Sequence, residues 1–529
     1  MNRQFIHLLK LAPVSLFLVT LVFLLLLPTL NLLFSWNSVD TDIWQHFVKT
    51  ILSELVINTT LLLLGVGIGT FLLGVSLAWL VVMIEFPGRK LFSWLLLLPF
   101  AMPAYVLAFV VLGAFDYGGA FQQFTQVLGL PYMDIREGVL GPALILTLVF
   151  YPYVYLLART AFANQSITMI ESARSLGYSS WGVFWKVSLP LARPAIVAGI
   201  SLALMETLAD FGTVALFNYN TLTLAIYSAW EDFRSLATAA QLATILMLIA
   251  LLTFSVEKLS RGRRGYVQTS RLDTPPFNPS KRYKILAFGF VLLVLLAVLL
   301  LPTMQLSVWA YSVITEEWDE RYWQWFGNTL LLSVIAVLIT IVVALLLNSL
   351  EFSRRLPKPL MSLMGVARMG YALPGVVLAM GILGAMAWLN QWLSTQWFIG
   401  GLFGLLLAYS VRFLAVAYGP IQSRFQTIKP SIIEAARGLG AGPKRLVWEI
   451  YLPLLKAGLM TAAVLVFLDV SKELPATYIL RPFGWDTLAI RIFELSAEAL
   501  YERAAVPSLL LLFMGVVGLL ILRRLNLFK

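Results

Sequence analysis

Four acidic residues sit inside long apolar runs: Glu206, Asp210, Asp469 and Glu473. A carboxylate at the centre of a membrane helix costs roughly 2.5–3.5 kcal/mol on insertion scales, so each acid is a functional hypothesis in its own right. Within each pair the spacing is i, i+4, which on a helix puts both carboxylates on one face. Glu206 maps to Asp469, and Asp210 to Glu473, at one offset of 263 residues. Together they would place roughly ten kcal/mol of insertion cost in one layer of a helix bundle. Two readings stand. One is a cation path lined by carboxylate oxygens, the donors hard cations prefer. The other is ion pairing that fixes helix packing, with Lys472 placed to neutralise Glu473.

The same offset relates a second constellation. Glu171-Ser172-Ala173-Arg174-Ser175-Leu176-Gly177 recurs as Glu434-Ala435-Ala436-Arg437-Gly438-Leu439-Gly440, and Leu189-Pro190 recurs as Leu452-Pro453. Each copy reads as helix, Gly, short helix, Leu-Pro. Gly177 and Gly440 are expected to end the first helix in the left-handed region. Ser179 or Ser180 is expected to cap the next helix in one copy, and Pro443 suits its first turn in the other. Pro190 and Pro453 are expected to break the chain before the following span. The small Ala173 and Ala436 would let another surface approach. One copy alone would fit an amphipathic helix lying on the bilayer. Two copies with identical internal spacing point instead to a partner with matching two-fold symmetry.

The elements that carry these groups follow from composition. The chain has 529 residues, 60% of them hydrophobic and only 12% charged. Mean hydropathy is +0.85. A soluble domain is nearer half apolar and a quarter charged. Apolar runs of roughly twenty residues, the length that crosses a bilayer, predict about twelve spans. Among them are 92–115, 193–219, 359–389 and 456–480. Asn58-Thr59 echoes Asn328-Thr329, Pro103 echoes Pro374, and Thr223-Leu224-Ala225-Ile226 echoes Thr487-Leu488-Ala489-Ile490. The fold class is therefore an all-α polytopic membrane protein made of two tandem six-helix halves, related by a pseudo-twofold axis along the membrane normal. The expected division is 1–256, a polar linker at 257–283 that reads as a flexible tether, and 284–529. The repeated motifs fall in loops at about 164–192 and 425–455. Pro99, Pro103 and Pro374 are placed to kink the third and ninth spans near a gate.

Charge orients the chain. About thirty of the 38 Lys and Arg fall in the even loops, while the opposite side is rich in Asp and Glu. By the positive-inside rule both termini and both motif loops are cytoplasmic. The net charge of +11 lies in short loops at membrane edges, which excludes a nucleic-acid-binding face. There is no Cys, and His7 and His46 lie in flanking segments, so no thiolate or histidine metal site is expected. The first span has a basic start but too long an apolar run for a cleaved leader, and reads as an anchor.

The pattern Glu-x-Ala-x(3)-Gly, with Leu-Pro about a dozen residues on, resembles the EAA motif of binding-protein-dependent ABC importer permeases. Ser172 replaces the middle Ala in the first copy. The resemblance implies MetI-like halves. It also implies that Glu171, Ala173, Gly177, Pro190, Glu434, Ala436, Gly440 and Pro453 couple to an ATPase. The coupling helices would be about Ser179–Ser188 and Gly442–Tyr451. It implies two copies of a cytoplasmic ABC ATPase subunit that bind ATP and Mg, a periplasmic solute-binding protein, and residence in a bacterial inner membrane. "ETLADFGTVALF" and "DVSKELPATYILRPFGWDTLAIRIFE" resemble the ferric-iron permeases of that group. That implies Fe3+ passing transiently at Glu206, Asp210, Asp469 and Glu473, with no firmly assigned metal site. Thiamine and polyamine permeases are the alternatives. "NTLTLAIYSAWEDF" and "WDTLAIRIFELSAEAL" read as amphipathic helices at the outer mouth, serving a binding protein or simply as anchors.

An ion-coupled secondary transporter using the four acids as a relay is the other class, but it leaves the twin motif without a task. There is no GxxxxGK[ST] loop, so any ATP site must lie on a partner. No HExxH motif and no Cys nucleophile supports an intramembrane enzyme.

Overall fold

A helix in lipid must satisfy its own backbone, and the apolar runs comply. The computed structural model describes residues 3–37, 39–129, 131–260, 275–317, 320–352, 370, 373–394 and 399–525. Among them, twelve helices are long and apolar enough to cross a membrane. They are α1 (Arg3–Phe34), α2 (Leu52–Met83), α3 (Ala104–Phe115, whose candidate span runs on to Val127), α4 (Leu140–Ala163), α5 (Leu189–Ala209), α6 (Leu236–Ser260), α7 (Lys281–Thr315), α8 (Glu320–Phe352), α9 (Gly375–Leu393), α10 (Leu402–Thr427), α11 (Leu452–Ser471) and α12 (Tyr501–Arg524). No strand occurs among the described residues.

Within each half, the second, fourth and fifth helices form the core. α2 packs on α4, and α4 on α5; in the second half α8 packs on α10, and α10 on α11. Small residues set the closest approaches. A Cβ at Gly74 would lie 2.7 Å from Val154 Cβ, and one at Gly199 would meet the Val154 backbone at 2.7 Å. Close approach of this kind drives association where lipid is as apolar as the side chains.

The halves are interlocked by their first spans. α1 packs against α9 of the other half, and α7 touches α3. A Cβ at Gly381 would fall 2.4 Å from the Pro28 carbonyl oxygen, and one at Gly384 would fall 2.2 Å from Asn31 Oδ1. The equivalent Gly113 on α3 faces Trp309 of α7, 2.7 Å from a built Cβ.

Several sequence expectations change. The predicted spans 193–219 and 456–480 run too far, because α5 stops at Ala209 and α11 at Ser471. Short helices Gly212–Leu216 and Pro475–Leu480 follow. Pro99 and Pro103 do not kink one helix. The third span is split into Arg89–Leu95, a 3-10 turn Leu98–Ala101 and α3, with Pro103 at the N-cap of α3. Pro374 likewise precedes α9 as its N-cap. Most of 359–374, the expected start of the ninth span, lies outside the described residues.

Pro190 and Pro453 do not break the chain. The helix is continuous over Ser180–Ala209 because a π-turn, Phe184–Ser188, precedes the proline, with Leu189 N–H donating to Phe184 O. Leu446–Tyr451 does the same before Pro453, with Leu452 N–H donating to Val447 O. Widening to i→i+5 absorbs the register gap left by the missing proline N–H.

The end of the linker is not a free tether either. Phe277 is buried and forms a two-residue bridge to the end of α2: Phe277 N–H donates to Met83 O at 3.1 Å, and Glu85 N–H to Phe277 O at 3.0 Å. Its ring lies 6.0 Å from Trp79, and the Arg174 guanidinium sits 5.5 Å above it.

Replacing Gly384 with Leu should wedge α1 off α9 and destabilise the protein by about 1–3 kcal/mol. Gly419→Ala is the control, since nothing lies within 4 Å of its built Cβ. Thermal unfolding in detergent checks this: Gly384→Leu should lower Tm and Gly419→Ala should leave it unchanged.

Candidate functional site

The four acids do converge, at helix breaks rather than along one helix face. One cavity of about 90 Å³ is lined by Glu206, Asp210, Asp469 and Glu473, together with Lys472 and Arg412. Phe100, Met102 and Pro103 from the split third span also line it. Three interrupted spans, from both halves, therefore meet around the carboxylates. Interrupted helices aimed at a shared site are a recurrent way to line a path with polar groups inside a membrane.

Each break is held by an acid. Asp210 follows the last residue of α5, and its Oδ1 accepts from Thr213 N–H at 2.9 Å, capping the short helix beyond. Glu473 does more. Its carboxylate accepts from Ala476 N–H at 3.1 Å, Thr477 N–H at 2.9 Å and Thr477 Oγ1 at 2.7 Å. Arg412 of α10 completes it, Nη1 to Oε1 at 3.2 Å, with both side chains nearly sealed from solvent. Gly375 makes room for this pair: a Cβ there would fall 2.1 Å from Arg412 Nη1 and 2.7 Å from Glu473 Oε1. Tyr409 hydroxyl and Thr477 Oγ1 lie 2.6 Å apart, extending the network.

The sequence had Lys472 as the neutraliser of Glu473, and the structure reassigns it. Lys472 Nζ reaches back one turn to Asp469 at 3.2 Å and lies 3.4 Å from the Phe100 carbonyl of the other half. The i, i+4 face does not survive, because Asp210 and Glu473 lie past the helix ends. For Glu473 the packing reading therefore describes the geometry. Asp469 is ion-paired as well, and Glu206 and Asp210 lie half-buried at the cavity wall. Four carboxylates and two cations leave a formal excess of negative charge. Among the described residues, no three His, Cys, Asp or Glu converge closely enough to hold a resident metal.

Sequence reasoning missed Arg412. Its signal was present: one arginine in the apolar run of the tenth span, which calls for a buried partner. It also missed the breaks, although Gly212 follows Asp210 closely and Pro475 follows Glu473.

The repeated motif folds the same way twice. In Ile167–Ser175 and Pro430–Gly438 the helices end at glycines with φ of 87° (Gly177) and 82° (Gly440). Tyr178 N–H donates to Ala173 O and Gly177 N–H to Arg174 O; Ala441 N–H donates to Ala436 O and Gly440 N–H to Arg437 O. These are Schellman closures, and Ala173 and Ala436 hold the same position in each. Ser179 caps the next helix, its hydroxyl accepting from Gly182 N–H at 3.2 Å. Pro443 opens the other. Glu171, Gly177, Glu434 and Gly440 are exposed. Pro190 and Pro453 lie in the first turns of α5 and α11.

On the opposite face, the helices Leu222–Glu231 and Leu488–Ala497 are capped by Thr221 and Thr487. Thr59 and Thr329 hydroxyls accept from Leu222 N–H and Leu488 N–H. The structural equivalent of Thr487 is thus Thr221, two residues before the match suggested by the sequence echo.

Comparison with known proteins agrees with this architecture. The profile of the family "Binding-protein-dependent transport system inner membrane component" matches twice, over residues 70–264 and 341–527. The Fe(3+)-transport system permease protein FbpB 2 of Haemophilus influenzae is 26% identical over 485 residues, covering 89% of this chain and 90% of that protein. A probable sulfate transport system permease of Chlorokybus atmophyticus is 27% identical, over 50% of this chain and 93% of its own length. The molybdenum transport system permease protein ModB of Haemophilus influenzae is 31% identical, over 34% of this chain and 82% of its own.

Arg412→Leu should leave Glu473 buried without its counter-charge and cost about 3–5 kcal/mol. Adding Glu473→Gln should restore part of that loss, because the neutral amide leaves no unpaired charge and its one oxygen can still accept from Ala476 or from Thr477. Chemical unfolding in detergent reads both. Equal loss in the single and double variants would show that the pair is not the source.

The duplicated profile match, the twelve candidate spans among the described residues and the twice-folded motif together place this chain in the binding-protein-dependent inner membrane component family, as a multi-pass permease of an ABC importer with both permease units in one polypeptide.

Proposed function

We propose that this chain is the permease of a ferric-iron importer, driven by two cytoplasmic ABC ATPase subunits and fed by a periplasmic iron-binding protein. The observation that carries the substrate is the cavity where both halves' broken helices meet. Its excess of carboxylates suits a cation and repels sulfate or molybdate. Its volume of about 90 Å³ suits a small ion better than thiamine or a polyamine. The ferric relative aligns along nearly the whole chain, whereas the sulfate and molybdenum relatives align along half of it or less. Glu206, Asp210 and Asp469 would line the path, and Glu473 would hold its wall. The division would fall at 1–256, 257–283 and 284–529. Both termini would be cytoplasmic.

Coupling to the motors has a specific surface. Leu176 and Leu439 are 79% and 85% exposed, and Trp185 and Trp448 are 49% and 65% exposed. Each pair is related by the 263-residue offset. Large apolar side chains presented twice, on rigid capped helices beside Glu171 and Glu434, form matched docking points for two identical subunits. ATP and Mg2+ would be bound there by the partners. On the other side, Phe483 stands fully exposed on a turn pinned by Arg481 to Asp486 at 2.8 Å and to Glu494 at 3.0 Å, and by Asn328 to the Asp486 carbonyl at 3.0 Å. Such a finger fits the binding protein.

Uptake into proteoliposomes holding the permease, its ATPase and its binding protein tests the proposal. ATP-dependent entry of labelled Fe3+, and none of sulfate, molybdate or thiamine, is expected; entry of an oxyanion instead would overturn it. Trp185→Glu with Trp448→Glu should cut uptake more than tenfold, as loss of two hot-spot contacts would, and should strip the ATPase during purification. Glu206→Ala with Asp469→Ala should abolish iron uptake while the complex stays assembled.

A further inference from the structure

Tyr105 sits in the first turn of α3, just past the break at Met102-Pro103, and lines the acid cavity. It is 4% exposed, and its hydroxyl has no hydrogen-bond partner among the described residues. A buried hydroxyl left without a partner is costly, and such groups call for an explanation. The ring is held in place rather than stranded by chance. It packs on the second break, where a Cβ at Gly212 would fall 2.7 Å from Tyr105 Cβ, and Asp210 and Glu473 line the same cavity.

Two of the cavity's carboxylates are held in ion pairs. Glu473 is taken by Arg412 and three donors, and Asp469 by Lys472. The duplication adds contrast. With Pro103 matched to Pro374, the place of Tyr105 in the second half is held by Val376, which has no polar atom in its side chain. The place of Arg412 in the first half, at the motif offset, is held by Val149. One half therefore brings a fixed cation to the cavity, and the other brings a phenol.

We propose that Tyr105 is a cargo-contacting residue, lending its phenolic oxygen to a hard trivalent cation held beside it by Asp210 and Glu206. The inference rests on the ferric-iron reading. A phenol oxygen joined to carboxylate oxygens is a donor set for a hard cation. As the metal–oxygen bond forms, the O–H bond breaks and a cavity carboxylate takes the proton. No electron moves, and the metal stays ferric. The cation would thus be gripped on the first half's side, opposite the locked Arg412–Glu473 wall.

The test uses the purified permease with its ATPase subunits, titrated with Fe3+ supplied as ferric citrate, alongside iron uptake in proteoliposomes. A visible phenolate-to-iron charge-transfer band should appear with the wild type. It should vanish in Tyr105→Phe and persist in Tyr153→Phe, a second tyrosine on the cavity wall. Tyr105→Phe should also weaken ferric binding by at least about tenfold, the least expected for loss of a residue in a metal's surroundings. Wild-type iron uptake with no band, or with a band and an affinity that Tyr105→Phe leaves unchanged, overturns the role of Tyr105 alone. A wild type that moves no iron sinks the ferric reading, and this inference with it.

Discussion

Everything at the centre of this protein depends on one constraint: a helix that stops inside a membrane must find partners for its free backbone groups within the protein. α5 and α11 both stop there, and a carboxylate takes up the first amides of the segment beyond each break. The acids are therefore part of the backbone's solution before they are part of any path. At Glu473 that role is complete, because Arg412 balances the charge that the amides alone leave. Burying both ions is expensive and holds only with such full hydrogen bonding. Gly375 belongs to the same arrangement, since any side chain there would occupy the space of the ion pair.

The breaks would be of little use in a loose bundle. Exchange of first spans fixes the two halves against each other, with α1 lying on α9 at glycines that bring the backbones together. The linker's end adds a link toward the motif. Phe277 enters the aromatic group of Trp79, and Arg174, a residue of the repeated segment, covers its ring and hydrogen-bonds to the Pro276 carbonyl at 3.4 Å. The first motif loop is therefore tied to the linker's end as well as to α5. The continuous helix from Ser180 to Ala209 gives that loop a stiff connection to the break at Asp210.

Much of this was legible in the residues. The repeat at an offset of 263, the left-handed glycines, the Ser179 cap and the convergence of all four acids follow from spacing and local chemistry. What was not legible has a common cause. Periodicity sees apolar runs, so it carried the fifth and eleventh spans through their breaks and ignored Arg412 inside the tenth. Proximity in sequence paired Lys472 with Glu473, but a helix turn points Lys472 at Asp469 instead. Proline was read as a breaker at 190 and 453, whereas a π-turn absorbs it. The match of Thr223 with Thr487 failed by two residues because identity of letters outweighed the capping role that Thr221 holds.

Duplication explains the symmetry of the two motif loops, and its erosion explains the cavity. Where a partner is symmetric, the two copies stay alike: both motif helices close through the same Schellman bonds and present Leu and Trp at matching positions. Under the proposed function, a single cargo passing between the halves would impose no such demand, because it would meet both at once. There the copies diverge, Arg412 against Val149 and Tyr105 against Val376. A cavity lined by four acids with no fixed cation would be hard to fold and would hold a multivalent ion too firmly to release it. Placing Arg412 and Lys472 on one side lowers that field without removing it, and leaves the oxygen-rich side to the first half. Under the proposed function, that asymmetry would reconcile a stable membrane bundle with a path that a cation can leave.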